Sequence, residues 1–207
     1  MTDTYQTLFT PEQLRTLSSI VQVGSEAFRE LIEQDPILRH RYLRDTRGRM
    51  LTKIIHMQSE IESHLPGFPF SFFERRFPGG QIIPELSCDQ VILHLARSRA
   101  PDMLPYSSRY KVDLAANNKR LERQLVLDDS ASSPMEVPFY ALLVFGGLDH
   151  PFAVIQFPEP GFGSIAESFA LPLAVTSDAA GSPKSFERKK AVLKQEFLAQ
   201  EKEADIS

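Results

Sequence analysis

Two continuous apolar runs constrain this chain more than any other feature: Phe139 to Phe145 and Phe152 to Phe157, separated by Gly146-Gly-Leu-Asp-His-Pro151. Runs of strand length without polar alternation are the mark of buried strands, and a short Gly/Asp/Pro connection folds such a pair back on itself. The expectation is a buried antiparallel hairpin, around which the rest of the chain must supply a core.

The N-terminal part supplies helices. Thr10-Pro11-Glu12-Gln13 combines a capping hydroxyl, a proline in the first turn and a Gln that reaches back to the cap. Leu14, Leu17, Val21, Phe28, Leu31 and Ile32 then recur at helical spacing, with Gly24 on the same side. Asp35-Pro36 repeats the start signal. It predicts a second helix carrying Leu43, Met50, Ile54, Met57, Ile61 and Leu65 on one stripe and ending at Pro66-Gly67.

Between Phe68 and Pro84 the composition is that of an irregular loop anchored by phenylalanine. Val91 to Leu95 reads as a strand, although Ser87 and Gln90 also resemble a capping box and leave a helix open. The alternation of Tyr110, Val112 and Leu114 with Lys111 and Asp113 predicts another. Asp128 to Pro138 reads as an exposed loop, and Ser164 with Glu167 as the cap of a short helix. The fold expectation is α+β: an N-terminal helical pair packed on a mainly antiparallel β-sheet, with a mobile C-terminal helical tail. One domain spans residues 1–176, helical over 1–66 and β-rich over 67–176. Residues 177–207 form a linker and a charged helical tail whose thin stripe of Phe186, Leu193 and Phe197 suits a protein partner better than a core.

With 207 residues, 42% hydrophobic and 24% charged, the chain is neither a disulfide-stapled miniature nor a disordered polyampholyte. No apolar stretch approaches the roughly 20 residues that span a bilayer, so no membrane association is expected. The lone cysteine, Cys88, has no intramolecular disulfide partner, and no basic start precedes an apolar run of signal-peptide length. Both features point to the cytoplasm.

The net charge of −4 is uneven: residues 1–35 carry 2 basic and 6 acidic groups, residues 36–111 carry 12 and 7, and residues 112–207 carry 9 and 14. The basic middle is concentrated in Arg39, Arg41, Arg44, Arg47 and Arg49, followed by Arg75 and Arg76 interleaved with Phe72, Phe73 and Phe77. Guanidinium forks bind phosphate oxygens in pairs and stay charged at any working pH, so these seven arginines are the candidate contacts to nucleic acid or another polyanion. Against that stands the plain reading of a solvated helix face, since the first five spread widely around the helix.

Other constellations carry less. His56, Glu60 and His64 recur every four residues, but the face drifts by about 80° over that span, so no metal site is assigned. Cys88 beside His94 reads as a small buried hydrophobe rather than a nucleophile, and Gly161-Phe-Gly-Ser164 as a plain turn. Asp113, Asp128, Asp129, Asp149 and Glu159 offer carboxylates near strand ends for a metal-dependent hydrolase or nuclease, without the strand lysine that such a site usually carries. The functional expectation is therefore a non-enzymatic intracellular binding or regulatory protein working through its basic middle, with the metal-dependent hydrolase as alternative. Catalytic residues and cofactors are unassigned.

Overall fold

The computed structural model describes residues 6–77, 80, 82–119, 137–147 and 151–173. The expected tail helix and linker, and most of the Asp128 to Pro138 loop, lie outside the described residues. Helix α1 runs from Pro11–Gln34 and opens as expected: the Thr10 hydroxyl accepts from the Gln13 amide and the Gln13 side chain accepts from the Thr10 amide. The second helix starts later than expected. Asp35 caps the Ile37 amide in a local turn, a short 3-10 turn follows at Arg41–Leu43, and α2 spans Arg44–Ser63.

Six strands follow, β1 (Ser71–Arg76), β2 (Ile82–Cys88), β3 (Val91–Arg97), β4 (Phe139–Gly146), β5 (Phe152–Pro158) and β6 (Ile165–Ala170), with helix α3 (Arg109–Ala115) between β3 and β4. They form one sheet in sequence order, antiparallel at every junction except the parallel pair β3–β4. That parallel pair requires a crossover, and the crossover carries α3. The β4–β5 hairpin is the expected one, and among its residues Tyr140 to Phe145 and Ile155 to Phe157 are almost wholly excluded from water.

The sheet is covered on both sides. Helices α1 and α2 bury Leu17, Ile20, Val21, Phe28, Leu51, Ile54 and Ile55 against Leu86, Leu93, Leu143, Ile155 and Phe157. Gly24 allows α1 to approach α2 closely, because a methyl there would stand 2.8 Å from Ile55 Cγ1. On the opposite face Ala115, with Val112 and Leu114 beside it, covers Tyr140, Leu142 and Val144. The 3-10 turn after α3 is fixed by Asn118. Its amide donates to the Tyr140 and Pro158 carbonyls at 3.0 and 2.7 Å, and its oxygen accepts from the Tyr140 amide at 2.9 Å. No helix among the described residues is long and apolar enough to cross a membrane.

Three expectations are corrected. Tyr110 to Leu114 is helical, not a strand: Ser108 caps the Lys111 amide and its carbonyl accepts from Val112, so local capping overrides a short alternation. The segment read as loop contains β1 and the start of β2, an edge hairpin whose outer strand lacks the apolar periodicity of a buried one. Ser164 starts no helix; its hydroxyl donates to Glu159 across a turn that leads into β6.

Candidate functional site

Two groups of polar residues stand out, one on each face of the sheet. On the α3 face, alternation along the strands and the register between them bring Arg75, Glu85 and His94 from three adjacent strands together with Tyr110 of α3 and Tyr140 of β4. The Arg75 guanidinium grips Glu85 with two hydrogen bonds of 3.0 and 3.2 Å. Glu85 Oε2 also accepts from His94 Nε2 at 2.8 Å and from the Tyr110 hydroxyl at 2.7 Å. On the far side of the imidazole, Nδ1 meets the Tyr140 hydroxyl at 3.0 Å. The aromatic rings pack around these bonds: Arg75 lies 4.7 Å over the Tyr110 ring, and Phe77 meets it edge-on at 5.1 Å.

One proton arrangement satisfies every group. Glu85 is ionised, His94 is neutral with its proton on Nε2, and the Tyr110 and Tyr140 hydroxyls donate to Glu85 and to Nδ1 respectively. The electrostatics agree. The His94 hydrogen bond, followed by those from Arg75 and Tyr110, holds Glu85 at about 2 against the opposite pull of burial. Burial pushes His94 below its usual range despite Glu85, and raises both tyrosines. Both ring nitrogens of His94 and both oxygens of Glu85 are thus engaged within the protein. The cluster anchors α3 to the sheet, and its open side is a shallow depression of about 350 Å³ lined by Phe73, Glu74, Arg75, Arg76 and Glu85.

On the other face lies the basic surface, and the structure divides the seven candidate arginines by role. Arg39 folds back onto the end of α1, donating to the Ile32 and Glu33 carbonyls that the helix leaves unpaired. Arg47 donates to the Leu38 carbonyl at 2.8 Å. These two hold the connection between the helices. Arg75 is committed to Glu85, and Arg76, largely exposed, pairs with Glu74 at 3.6 Å. Arg41, Arg44 and Arg49 remain exposed, and among the described residues they form no ion pair.

Arg97, unmarked in the sequence, comes up against the same helix at Gly48. Leu93 and Leu95 point into the core beneath α2, so Arg97, two residues on, emerges on the same side at the end of β3. Its guanidinium lies directly against Gly48 of α2, where an added methyl would stand only 2.1 Å from Nη1. Arg44 sits one turn before Gly48 on the same helix face. Between residues 36 and 59 the chain has six basic residues and one acidic residue, Asp45, so this end of α2 gathers positive charge with little internal compensation.

The remaining constellations disperse. His56 donates to the Leu95 carbonyl at 3.3 Å; Pro84, level with Leu95 by the β2–β3 register, has no N–H to offer that carbonyl. Burial pushes His56 down to about 4. His64 ends α2, and Glu60 is exposed. Cys88 packs on the α1–α2 face whereas His94 points to the other, and burial pushes the thiol up. Among the described residues no three His, Cys, Asp or Glu side chains gather as metal ligands, and Asp128, Asp129 and Asp149 lie outside those residues. Comparison with protein-family models finds no match, and neither curated proteins nor solved structures match the chain.

Proposed function

We propose that this chain is a non-enzymatic intracellular binding or regulatory protein that engages nucleic acid through the arginine surface at the start of α2. The observation that carries the reading is the packing of Arg97 on Gly48, which brings a cation from the sheet to a helix end already bearing the exposed Arg41, Arg44 and Arg49. Cations brought together from separate elements without acidic partners repel one another, and an anionic ligand relieves that repulsion. Arginine in particular matches the geometry of phosphate.

The test is the affinity of the full chain for short DNA and RNA, measured by fluorescence anisotropy over a range of salt. Replacing Arg44, Arg49 and Arg97 with glutamine is expected to weaken binding to unrelated sequences alike, and to reduce the log–log salt slope by about 0.7–0.9 for each phosphate no longer neutralised. Arg39→Gln is expected to lower thermal stability and leave the slope of the folded protein unchanged, because its bonds are to backbone carbonyls. A wild-type protein without salt-sensitive binding at low ionic strength overturns the proposal.

A further inference from the structure

Immediately before α2, the 3-10 turn at Arg41–Leu43 presents Tyr42 to solvent, and the residue is 77% exposed. Its ring does not hang free. The Arg41 guanidinium stacks over it at 5.1 Å from the centroid and also donates to the Tyr42 hydroxyl at 3.3 Å, while the His40 ring lies 5.0 Å away at an interplanar angle of 42°. The His40 imidazole accepts from the Tyr42 amide, which ties the turn to its own side chain. An aromatic ring held by two neighbours, with most of its surface still in water, is unusual for a residue with no packing duty. It costs an exposed apolar face and gains nothing for the core.

Position adds to the case. Tyr42 lies between Arg41 and Arg44, within the run of arginines that carries the proposed phosphate contacts. Phosphate contacts alone do not distinguish a duplex from a single strand. A stacking platform does, because only unpaired bases can swing out onto a side chain, and duplex bases are already stacked on one another. Arg41 contributes to both parts, since its guanidinium already lies against the ring and its positive charge faces the strand.

Resting on the nucleic-acid reading above, we infer that Tyr42 is a base-stacking residue and that the preferred ligand of this surface is single-stranded nucleic acid, with the backbone on Arg44 and Arg97. The sugar-phosphate chain would run along the arginines while one base leaves the strand to stack on the exposed part of the Tyr42 ring. Such stacking is tolerant of sequence, because every base offers a flat face.

The experiment compares wild type, Tyr42→Phe and Tyr42→Ala, as full chains, for binding to a labelled oligothymidylate and to a duplex of matched length. Wild type is expected to bind the single strand more tightly. Tyr42→Ala is expected to weaken single-strand binding by roughly 5- to 150-fold, the equivalent of one stacked base, with the salt slope and duplex affinity unchanged. Tyr42→Phe, which keeps the ring, is expected to retain most of the affinity. Circular dichroism checks that both variants fold, as an exposed side chain implies. Equal binding of both strands by wild type, or an alanine variant that loses neither or loses both equally, overturns the stacking inference and leaves the arginine surface standing. Absence of binding to either probe overturns both.

Discussion

Replacing Glu85 with glutamine tests the polar cluster beneath α3, and the structure allows its cost to be worked out in two ways. The carboxylate receives four hydrogen bonds, two from Arg75 and one each from His94 and Tyr110. A carboxamide has one oxygen to offer. If that oxygen keeps the Oε2 position, the new NH2 group points its hydrogens at the Arg75 guanidinium, donor against donor. Arg75, whose side chain is 43% exposed, can turn to water, so its share is discounted. His94 and Tyr110 cannot turn away as freely, and each loses the charged part of its bond, about 1 kcal/mol apiece. The sum is about 2–3 kcal/mol.

The second way is through linkage. Its hydrogen bonds hold Glu85 at about 2 instead of 4.5, so the folded state favours its ionised form, by about 2–3 kcal/mol once screening at the open side of the cluster is discounted. A depressed carboxylate contributes stability that is present above the unfolded-state value near 4.5 and lost as the pH falls toward 2. Glu85→Gln should therefore be less stable by about 2–3 kcal/mol at pH 7, lowering the thermal midpoint by about 4–12 °C for a chain of this size. The gap between variant and wild type should narrow steadily below pH 4.5. Urea denaturation at a series of pH values reads both quantities. A loss under about 1 kcal/mol, or a gap that is constant down to the acid limit of folding, would refute the assignment of Glu85 as the charged centre of the cluster.

Two glycines in the helices make opposite predictions. Gly24→Ala drives a methyl into Ile55, including its Cα at 3.2 Å, so despite about 1 kcal/mol of improved helix propensity it should destabilise by about 1–2 kcal/mol in urea titrations. Gly48→Ala meets only the flexible end of Arg97, so it should leave stability unchanged or raise it by up to about 1 kcal/mol while weakening salt-sensitive binding by displacing that guanidinium. His56, pushed down to about 4, is held neutral in the fold but protonates near 6.5 when unfolded. Wild-type stability should therefore fall as pH drops from about 6.5 toward 4, and His56→Gln should flatten that part of a pH–stability curve.

How much of the fold is legible in the sequence depends on whether a signal is local. The Thr10 capping box and the β4–β5 hairpin are each written within a few consecutive residues, and both stand as expected. Helix α3 defeats the same reasoning because seven residues are too few to separate a period of two from one of 3.6; Tyr110 and Leu114, four apart, satisfy both. Strand β1 is hidden by its position at the sheet edge, where five of six residues are exposed and no alternation is demanded. The α2 stripe is also shifted. Leu51, Ile55, Gln58, Ser59 and Glu62 are buried in place of Met57 and Leu65, because α2 packs on α1 as well as on the sheet and places polar side chains between the helices.

The candidate site shows the same division. Arginine density near residues 39–49 is visible in the sequence, but which of those side chains face solvent depends on carbonyls left open at the end of α1, a property of the folded corner. Arg97 gives no local signal, since its role arises from a strand ending beneath a helix almost fifty residues earlier in the chain. Glu85 and His94 meet only through the β2–β3 register, which requires β2 to be recognised first.

The two polar groups lie on opposite faces of the sheet, and this separation has a physical consequence for how the chain responds to change. The Glu85 cluster is largely buried, with one edge open beside Arg75, so its perturbation should be felt as stability and move with pH; Arg41, Arg44 and Arg49 are exposed and, among the described residues, without ion pairs, so under the proposed function their perturbation should be felt as affinity and move with salt. Arg75, assigned by composition to the same basic segment as Arg44, belongs to the first group because Glu85 neutralises it. A charge count along the sequence cannot make that distinction, whereas the partner of each guanidinium can. Arg75→Gln should accordingly follow the Glu85 variant in urea and leave the salt slope untouched, and a salt slope that fell on changing Arg75 would place the binding surface on the α3 face instead.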